Sequence, residues 1–280
     1  MNNNETESIV SCMATVDLDP EIQRIQTLHR LKLAAFWNIK EGNKVLEIGC
    51  GQGDTTAVLA SIVGEKGFVY GIDIAPASYG SPITLGDSAE HLKRSKLGKQ
   101  INIEFEIDVL SPEVNFPDNH FDYIVLSHCS WYFKSHEEFS KLLKKTKRWG
   151  KQLCYAEWDT RIENRYQLPH FMAMLIQAQY ECFKENSQSN LRTLFTPIDF
   201  KTLAKNAGWN IVSEKVIPSA DMQDSQWEMD ITLNDHQSEL QAINNMPDKF
   251  KSLIKSQVTL LEASITKDMC PMFTYASIAD

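Results

Sequence analysis

No apolar run among the 280 residues is longer than Phe171 to Ile176. That is far short of the roughly 20 residues a membrane-spanning helix requires, so no transmembrane segment is expected. The opening residues Met1 to Ser8 are polar and acidic, where a secretory signal is basic and then apolar, and the chain reads as cytoplasmic. Cys12, Cys50, Cys129, Cys154, Cys182 and Cys270 form no C-x-x-C pair, which argues against a zinc site or disulfide framework and leaves free thiols. Cations are the minority charge. The 28 Lys and Arg face 37 Asp and Glu, and a net charge of −9 repels polyanions, so nucleic acid is a poor partner. What is present is ordinary: 42% hydrophobic and 23% charged residues exclude disordered and fibrous classes and support a sizeable core.

Residues 1–20 read as a flexible polar arm ending at Asp19-Pro20, followed by a helix from Glu21 to Asn38 with Ile22, Ile25, Leu28, Leu31, Leu33 and Phe36 on a broad stripe. Val45 to Ile48 then reads as a strand. Gly49, Gly51 and Gly53 make a glycine loop, Val58, Leu59, Ile62 and Val63 mark a helix, and a second strand runs from Gly67 to Ile74. A strand-helix-strand order requires a crossover and so a parallel pair. Ser81-Pro82 is taken to open the next helix, and strands follow at Ile101 to Ile107, Phe121 to Ser127 and Gln152 to Trp158. Between the last two, Ser135 and Glu138 form a capping box and Gly150 stands just past the helix they open. Residues 159–195 leave this rhythm, with a helix near Pro169 to Lys184 and a polar loop through Asn186, Ser187 and Asn190. The rhythm returns with a helix opened at Thr196, a strand at Trp209 to Ile217, a helix at Pro247 to Ile265 and a terminal apolar run at Met272 to Ile278. The expected fold is α/β, an open doubly wound and mostly parallel sheet that binds its ligand at the carboxyl ends of the strands.

The glycine loop is the sharpest signal. Glu47-Ile48-Gly49-Cys50-Gly51-Gln52-Gly53 lies at a strand-to-helix turn, and Asp73 stands at the end of the next strand. Glycines let a backbone approach a ligand closely, and an acid at the second strand end can accept from both hydroxyls of a ribose. The dinucleotide fingerprint is G-x-G-x-x-G, whereas this loop is G-x-G-x-G with an acid two residues ahead.

In these residues the sequence resembles the class I S-adenosylmethionine-dependent methyltransferases. The resemblance covers roughly residues 40–217, with 272–278 as an antiparallel last strand of a Rossmann-like seven-stranded sheet. It implies S-adenosylmethionine as cofactor and S-adenosylhomocysteine as product. It places Glu47, Gly49, Cys50, Gly51 and Gly53 along the cofactor, Asp73 and Ile74 at the ribose, Asp108 and Val109 at the adenine, and Ser127 beside the methionine end. The loop together with His128 to Phe133 looks like small-molecule methyltransferases of microbial and fungal type. Within one domain over 21–280, a lid helix at 21–40 would precede the cofactor half (41–158), an acceptor insertion (159–195) and a C-terminal half (196–280) with a helical insertion at 233–268.

An activated methyl group needs mainly an in-line nucleophile in a dry site, and a hydroxyl acceptor also needs a base. His128, just past the fourth strand, stands where a base would be; a histidine hydrogen-bonded at a strand end is the alternative. Trp131, Tyr132 and Phe133 could wall an acceptor or pack under the next helix, with Tyr132 a second candidate at the reacting centre. Glu157, Trp158 and Asp159 close the fifth strand, where a carboxylate holds an amine, orients a hydroxyl or caps the following segment. No paired-acid motif supports a metal. The basic run Lys141, Lys144, Lys145, Lys147, Arg148 and Lys151 reads as a helix C-terminus rather than an RNA stripe. The expected activity is methyl transfer to an oxygen or nitrogen of a small organic molecule, by a monomer or homodimer without nucleic-acid or membrane partners. A protein- or RNA-directed methyltransferase, a nicotinamide-dependent dehydrogenase and a cofactor-binding protein without this chemistry are the competing readings.

Overall fold

Val45 and Leu46 point to opposite faces of one strand and both are fully buried, so the sheet that holds them is covered on both sides. The computed structural model describes residues 3–15, 20–185, 187 and 189–280. Its seven strands are β1 (Lys44–Ile48), β2 (Phe68–Ile72), β3 (Ile101–Glu104), β4 (Phe121–Ser127), β5 (Gly150–Trp158), β6 (Ile211–Ile217) and β7 (Thr274–Ala279). The helices are α1 (Asn3–Val10), α2 (Pro20–Phe36), α3 (Asp54–Val63), α4 (Leu85–Arg94), α5 (His136–Trp149), α6 (Leu168–Glu181), α7 (Pro197–Asn206), α8 (Asp224–Ala242) and α9 (Asp248–Ser264). The strand order is β3-β2-β1-β4-β5-β7-β6. The first five strands pair in parallel, and β7 runs antiparallel between β5 and β6, the place expected for the terminal run. The order reverses between β1 and β4, which is where a doubly wound sheet opens a crevice for a ligand.

Helices α1 to α4 cover one face, packing Leu33, Trp37, Val58 and Leu92 onto Val45, Val69 and Val125. On the other face α5 and α7 set Phe139, Leu142 and Phe200 against Leu46, Ile124 and Tyr155. A third core belongs to α6, α8 and α9, where Ile176, Met229, Leu240, Ile254 and Leu261 pack together, forming a helical cap. No helix among the described residues is long and apolar enough to cross a membrane.

Caps fix several boundaries. Ser135 accepts the Glu138 N–H and Gly150 follows the last residue of α5, as expected; the Glu138 carboxylate, however, takes the N–H of Lys134. Thr196 and Asp199 form a reciprocal capping box at α7.

Four expectations need correction. The arm carries helix α1, whose Ile9, with Cys12 and Met13 beyond it, is buried against the sheet's helical layer, because these side chains extend the apolar surface of α2 and α3; residues 1–2 and 16–19 lie outside the described residues, as does Asn186 of the polar loop. Helix α4 opens at Thr84, which accepts the Asp87 N–H, rather than at Ser81-Pro82. Strand β3 stops at Glu104, and Glu106 takes a left-handed φ of 59° that ends any extended run. The helical insertion begins at Asp224, nine residues ahead of the expected 233, and has almost no apolar stripe to announce it.

Candidate active site

The loop after β1 is shaped by two glycines with opposite surroundings. At Gly49, φ is +76° and a Cβ would come within 2.8 Å of Cys129 Cβ, so any side chain is excluded. At Gly51, φ is +51° and a Cβ would meet nothing within 4 Å, which leaves bare backbone on the open side of the loop. Asp73, at the end of β2, accepts the Gly51 N–H on Oδ2 at 2.8 Å and the Ala75 N–H on Oδ1 at 2.9 Å. It therefore ties the glycine loop to the second strand.

Two cavities meet at this point, and Gly49, Asp73 and Tyr132 line both. The smaller, about 160 Å³, is a mostly apolar slot between Ile74, Ile107, Val109 and Phe133, with Asp108 at its rim. Asp108 uses one carboxylate oxygen to accept the Leu110 N–H at 2.8 Å. The larger, about 360 Å³, runs from Cys50, Gly51 and Ser127 past His128 to the cap. A backbone cradle, a carboxylate at the junction and an apolar slot with an acid at its edge fit a nucleoside with a charged tail.

Glu47 is buried on the wall of the larger cavity, with Oε2 accepting the Thr56 hydroxyl at 2.5 Å. Burial pushes its carboxyl up to about 8, against the lowering effect of that bond. Cys50 and Cys129 are buried and their thiols are pushed above the ordinary range by burial, and Cys129 donates to the Ile48 carbonyl at 3.2 Å. Neither has the thiolate character a nucleophile needs.

His128 follows β4 directly. Its N–H donates to the Ala156 carbonyl at 2.8 Å, and its φ of +51° is one a non-glycine residue adopts at a cost. Nδ1 stands 3.5 Å from Glu157 Oε1, and neither ring nitrogen has a hydrogen-bond partner among the described residues. Glu157 is held from behind: Oε2 accepts from the Ser130 N–H at 3.1 Å and hydroxyl at 2.7 Å, and Oε1 accepts the Trp158 N–H at 3.1 Å. The Trp158 ring lies 4.8 Å from that of His128.

The neighbouring candidates divide. Trp131 is buried on the cavity wall and donates Nε1–H to the Phe195 carbonyl at 3.1 Å. Tyr132 sits at the junction of the two cavities and is 44% exposed. Phe133 packs on Phe139 and faces the adenine-sized slot. Asp159 is turned away, bound by both arms of the Arg161 guanidinium at 2.8 and 2.7 Å, so it caps the following segment. Most of the basic run is occupied as well: Lys141 pairs with Glu137, Arg148 with Asp118 and Lys151 with Asp122, while Lys147 lies over Trp209 and Lys145 over Trp149.

Several wall residues have no motif to reveal them. His29 and Arg30 come from α2, and Asp224, Trp227 and Glu228 from the first turns of α8. Arg30 reaches Asp54 at 3.4 Å and Thr55 at 3.3 Å, tying α2 to the start of α3. His29 is 97% buried, which drives its imidazole down to about 2, with His128 adding to the effect. The one local sign is a polar His29-Arg30 step inside an apolar helix stripe.

The family described as "Methyltransferase domain" matches residues 21–214. A solved structure, a cyclopropane-fatty-acyl-phospholipid synthase-like protein from Lactobacillus casei, is 32% identical, with a TM-score of 0.88 and 99% of each chain covered. Methyltransferase phomM' from Diaporthe leptostromiformis is 31% identical over 114 residues, 35% of this chain and 30% of that one. The 2-phytyl-1,4-naphtoquinone methyltransferase of Synechococcus elongatus is 36% identical over 105 residues, 36% of this chain and 41% of its own. The chain thus spans less than half the length of these curated relatives.

Proposed function

Because the chain belongs to the methyltransferase-domain family, and is a class I S-adenosylmethionine-dependent methyltransferase, we propose that it methylates an oxygen or nitrogen of a small organic molecule held between α2, the ends of β4 and β5, and α8. The observation that carries this reading is the His128–Glu157 pair, which lines the same 360 Å³ cavity as Gly49, Gly51 and Asp73.

In this reading the bare backbone at Gly51 and the Asp73 carboxylate hold the nucleoside sugar, and the slot between Ile74 and Val109 takes the base with Asp108 at its edge. When bound, S-adenosylmethionine supplies a methyl group already activated on sulfonium, and transfer leaves the carbon–sulfur electron pair on sulfur as S-adenosylhomocysteine. The chain's own task is to position the nucleophile and receive its proton. His128 takes that proton, and Glu157, fixed by Ser130, stabilises the imidazolium and sets the ring, the logic by which a base is oriented by a third group. The cap excludes water. Trp131, Tyr132 and Trp158 supply the apolar wall against which the acceptor is aligned.

A macromolecular acceptor would need an open surface around Trp131. That residue is instead 3% exposed, and the basic run lies at the other edge of the sheet, where Arg148 and Lys151 pair with Asp118 and Asp122 beside the start of β4, which favours a small molecule. The test is to incubate the purified protein with S-adenosylmethionine carrying a deuterated methyl group and a panel of small phenols, alcohols and amines, and to identify labelled products by mass spectrometry. Labelled small-molecule product with stoichiometric S-adenosylhomocysteine is expected; label appearing only in protein or RNA would overturn the reading.

A further inference from the structure

The acceptor cavity carries a buried hydrogen-bond acceptor without a partner among the described residues, and carboxylates whose partners are neutral amide, hydroxyl and backbone donors. His29 provides the clearest case. Its Nε2 lies 3.1 Å from Thr274 Oγ1, which lies 3.1 Å from Ser219 Oγ, which lies 3.3 Å from the Ile217 carbonyl. Only one set of protons makes all three bonds. The carbonyl can only accept, so Ser219 donates to it, Thr274 donates to Ser219, and His29 Nε2–H donates to Thr274. Nδ1 is then a bare lone pair. It has no partner among the described residues, in a side chain that is 97% buried and forms part of the cavity wall, its ring 5.7 Å from that of His128. A buried acceptor of this kind calls for a donor from the ligand.

The charge around it has one sign. Glu157, Asp224 and Glu228 line the cavity, and among the described residues Arg30 is the one Lys or Arg on that wall. Arg30 is already engaged by Asp54, Thr55 and Gln26, so no cation is left for an acid. Trp131, Trp158 and Trp227 share the wall, and aromatic faces beside carboxylates favour an ammonium ion.

Resting on the reading of methyl transfer to a small molecule, we infer that the acceptor is a primary or secondary amine. It arrives as its ammonium ion, donates an N–H to Nδ1 of His29, and sets its charge among Glu157, Glu228 and the tryptophan faces. The ammonium gives one proton to His128, which frees the nitrogen lone pair to form the new N–CH₃ bond. The product leaves as an ammonium ion again, and the proton on His128 passes to water.

The experiment uses the full chain saturated with S-adenosylhomocysteine, titrated calorimetrically with phenethylamine, phenethyl alcohol, hydrocinnamate and tetramethylammonium. Phenethylamine is expected to bind at least about tenfold more tightly than the alcohol or the carboxylate. His29→Phe keeps an aromatic ring but removes the lone pair. It should weaken phenethylamine about tenfold while leaving tetramethylammonium, which has no N–H, and S-adenosylhomocysteine unchanged. A purely structural role of His29 would weaken all three together and overturn the assignment. Equal or tighter binding of the alcohol or hydrocinnamate to the wild-type protein would overturn the amine class, and that arm needs no variant. Methylation of a phenol without any preference for amines would likewise overturn it while leaving small-molecule methyl transfer standing.

Discussion

His128 and Glu157 are 29 positions apart in the chain, yet His128 Nδ1 lies 3.5 Å from Glu157 Oε1 because β4 and β5 pair in parallel with Ser127 opposite Ala156. His128, the first residue past β4, and Glu157, still within β5, therefore stand at the same height. A one-residue slip of either strand would turn one of the two side chains to the other face. The pair is thus a product of register, and Ser130 fixes its carboxylate with two hydrogen bonds.

If the pair is the base of the reaction, His128→Asn and Glu157→Gln should each lower kcat by about 10²- to 10⁴-fold. The double variant should fall little further, because the two act as one unit. Affinity for S-adenosylhomocysteine should stay within a few-fold of wild type, since neither residue holds the nucleoside. A kcat near wild type in His128→Asn would remove the base from the mechanism.

What the sequence made legible was what it encodes locally. Glu47 to Gly53 is read from consecutive residues, and Asp73 from its distance along one crossover; the capping residues Ser135 and Thr196 mark their helices in the same way. The place of β7 follows from its late apolar run. Residues brought in by packing were not legible. His29 sits within an apolar helix stripe and acquires its meaning only from Thr274, 245 positions away. Helix α8 turns acidic residues inward, where Asp224 and Glu228 meet the cavity, so the period that announces a helix against a core is missing. Helix α1 was hidden by its polar start, although Ile9, Cys12 and Met13 are buried.

The two loop glycines should separate stability from binding. Gly49→Ala drives a Cβ to 2.8 Å from Cys129 Cβ at a positive φ, and is expected to cost about 2–4 kcal/mol, seen as a lowered Tm without ligand. Gly51→Ala meets no atom within 4 Å and carries only the left-handed penalty of about 1–2 kcal/mol, but its methyl enters the space assigned to the cofactor. Its Tm should fall less, and the stabilisation by S-adenosylhomocysteine should vanish. Equal ligand shifts in Gly51→Ala and wild type would refute the placement.

Asp73 has both a structural and a binding task, and two substitutions should divide them. Asp73→Asn keeps an oxygen that can accept one of the N–H groups of Gly51 and Ala75, whereas Asp73→Ala keeps none. Both should weaken S-adenosylhomocysteine by about tenfold or more through loss of the charge-assisted bonds to ribose hydroxyls. Asp73→Ala should also loosen the loop, raising amide exchange at Gly51. Unchanged affinity in Asp73→Asn would sink the ribose assignment.

Glu47 and the buried histidines should give the ligand-free protein a stability maximum near pH 6.5. Glu47 has its carboxyl raised from 4.5 to about 8, so between those values the native state holds a proton that the unfolded chain has lost. Its contribution is complete below pH 4.5 and is lost as pH rises through 8. His29 and His170 are lowered by burial from 6.5 to about 2 and about 3, so the unfolded chain takes up protons that the native state refuses. Their contribution is complete above pH 6.5 and is lost as pH falls through 3. From 4.5 to 6.5 two histidines outweigh Glu47 and stability rises with pH; from 6.5 to 8 Glu47, with any share from Glu228, whose carboxyl burial also raises, sets the sign and stability falls, with a limiting slope for Glu47 of about 1.4 kcal/mol per pH unit. Urea denaturation across this range should therefore show a decline on the alkaline side in wild type. In Glu47→Gln, whose amide oxygen still accepts the Thr56 hydroxyl, that decline should lose the share of Glu47; its persistence undiminished would mean that Glu47 is ionised in the folded protein.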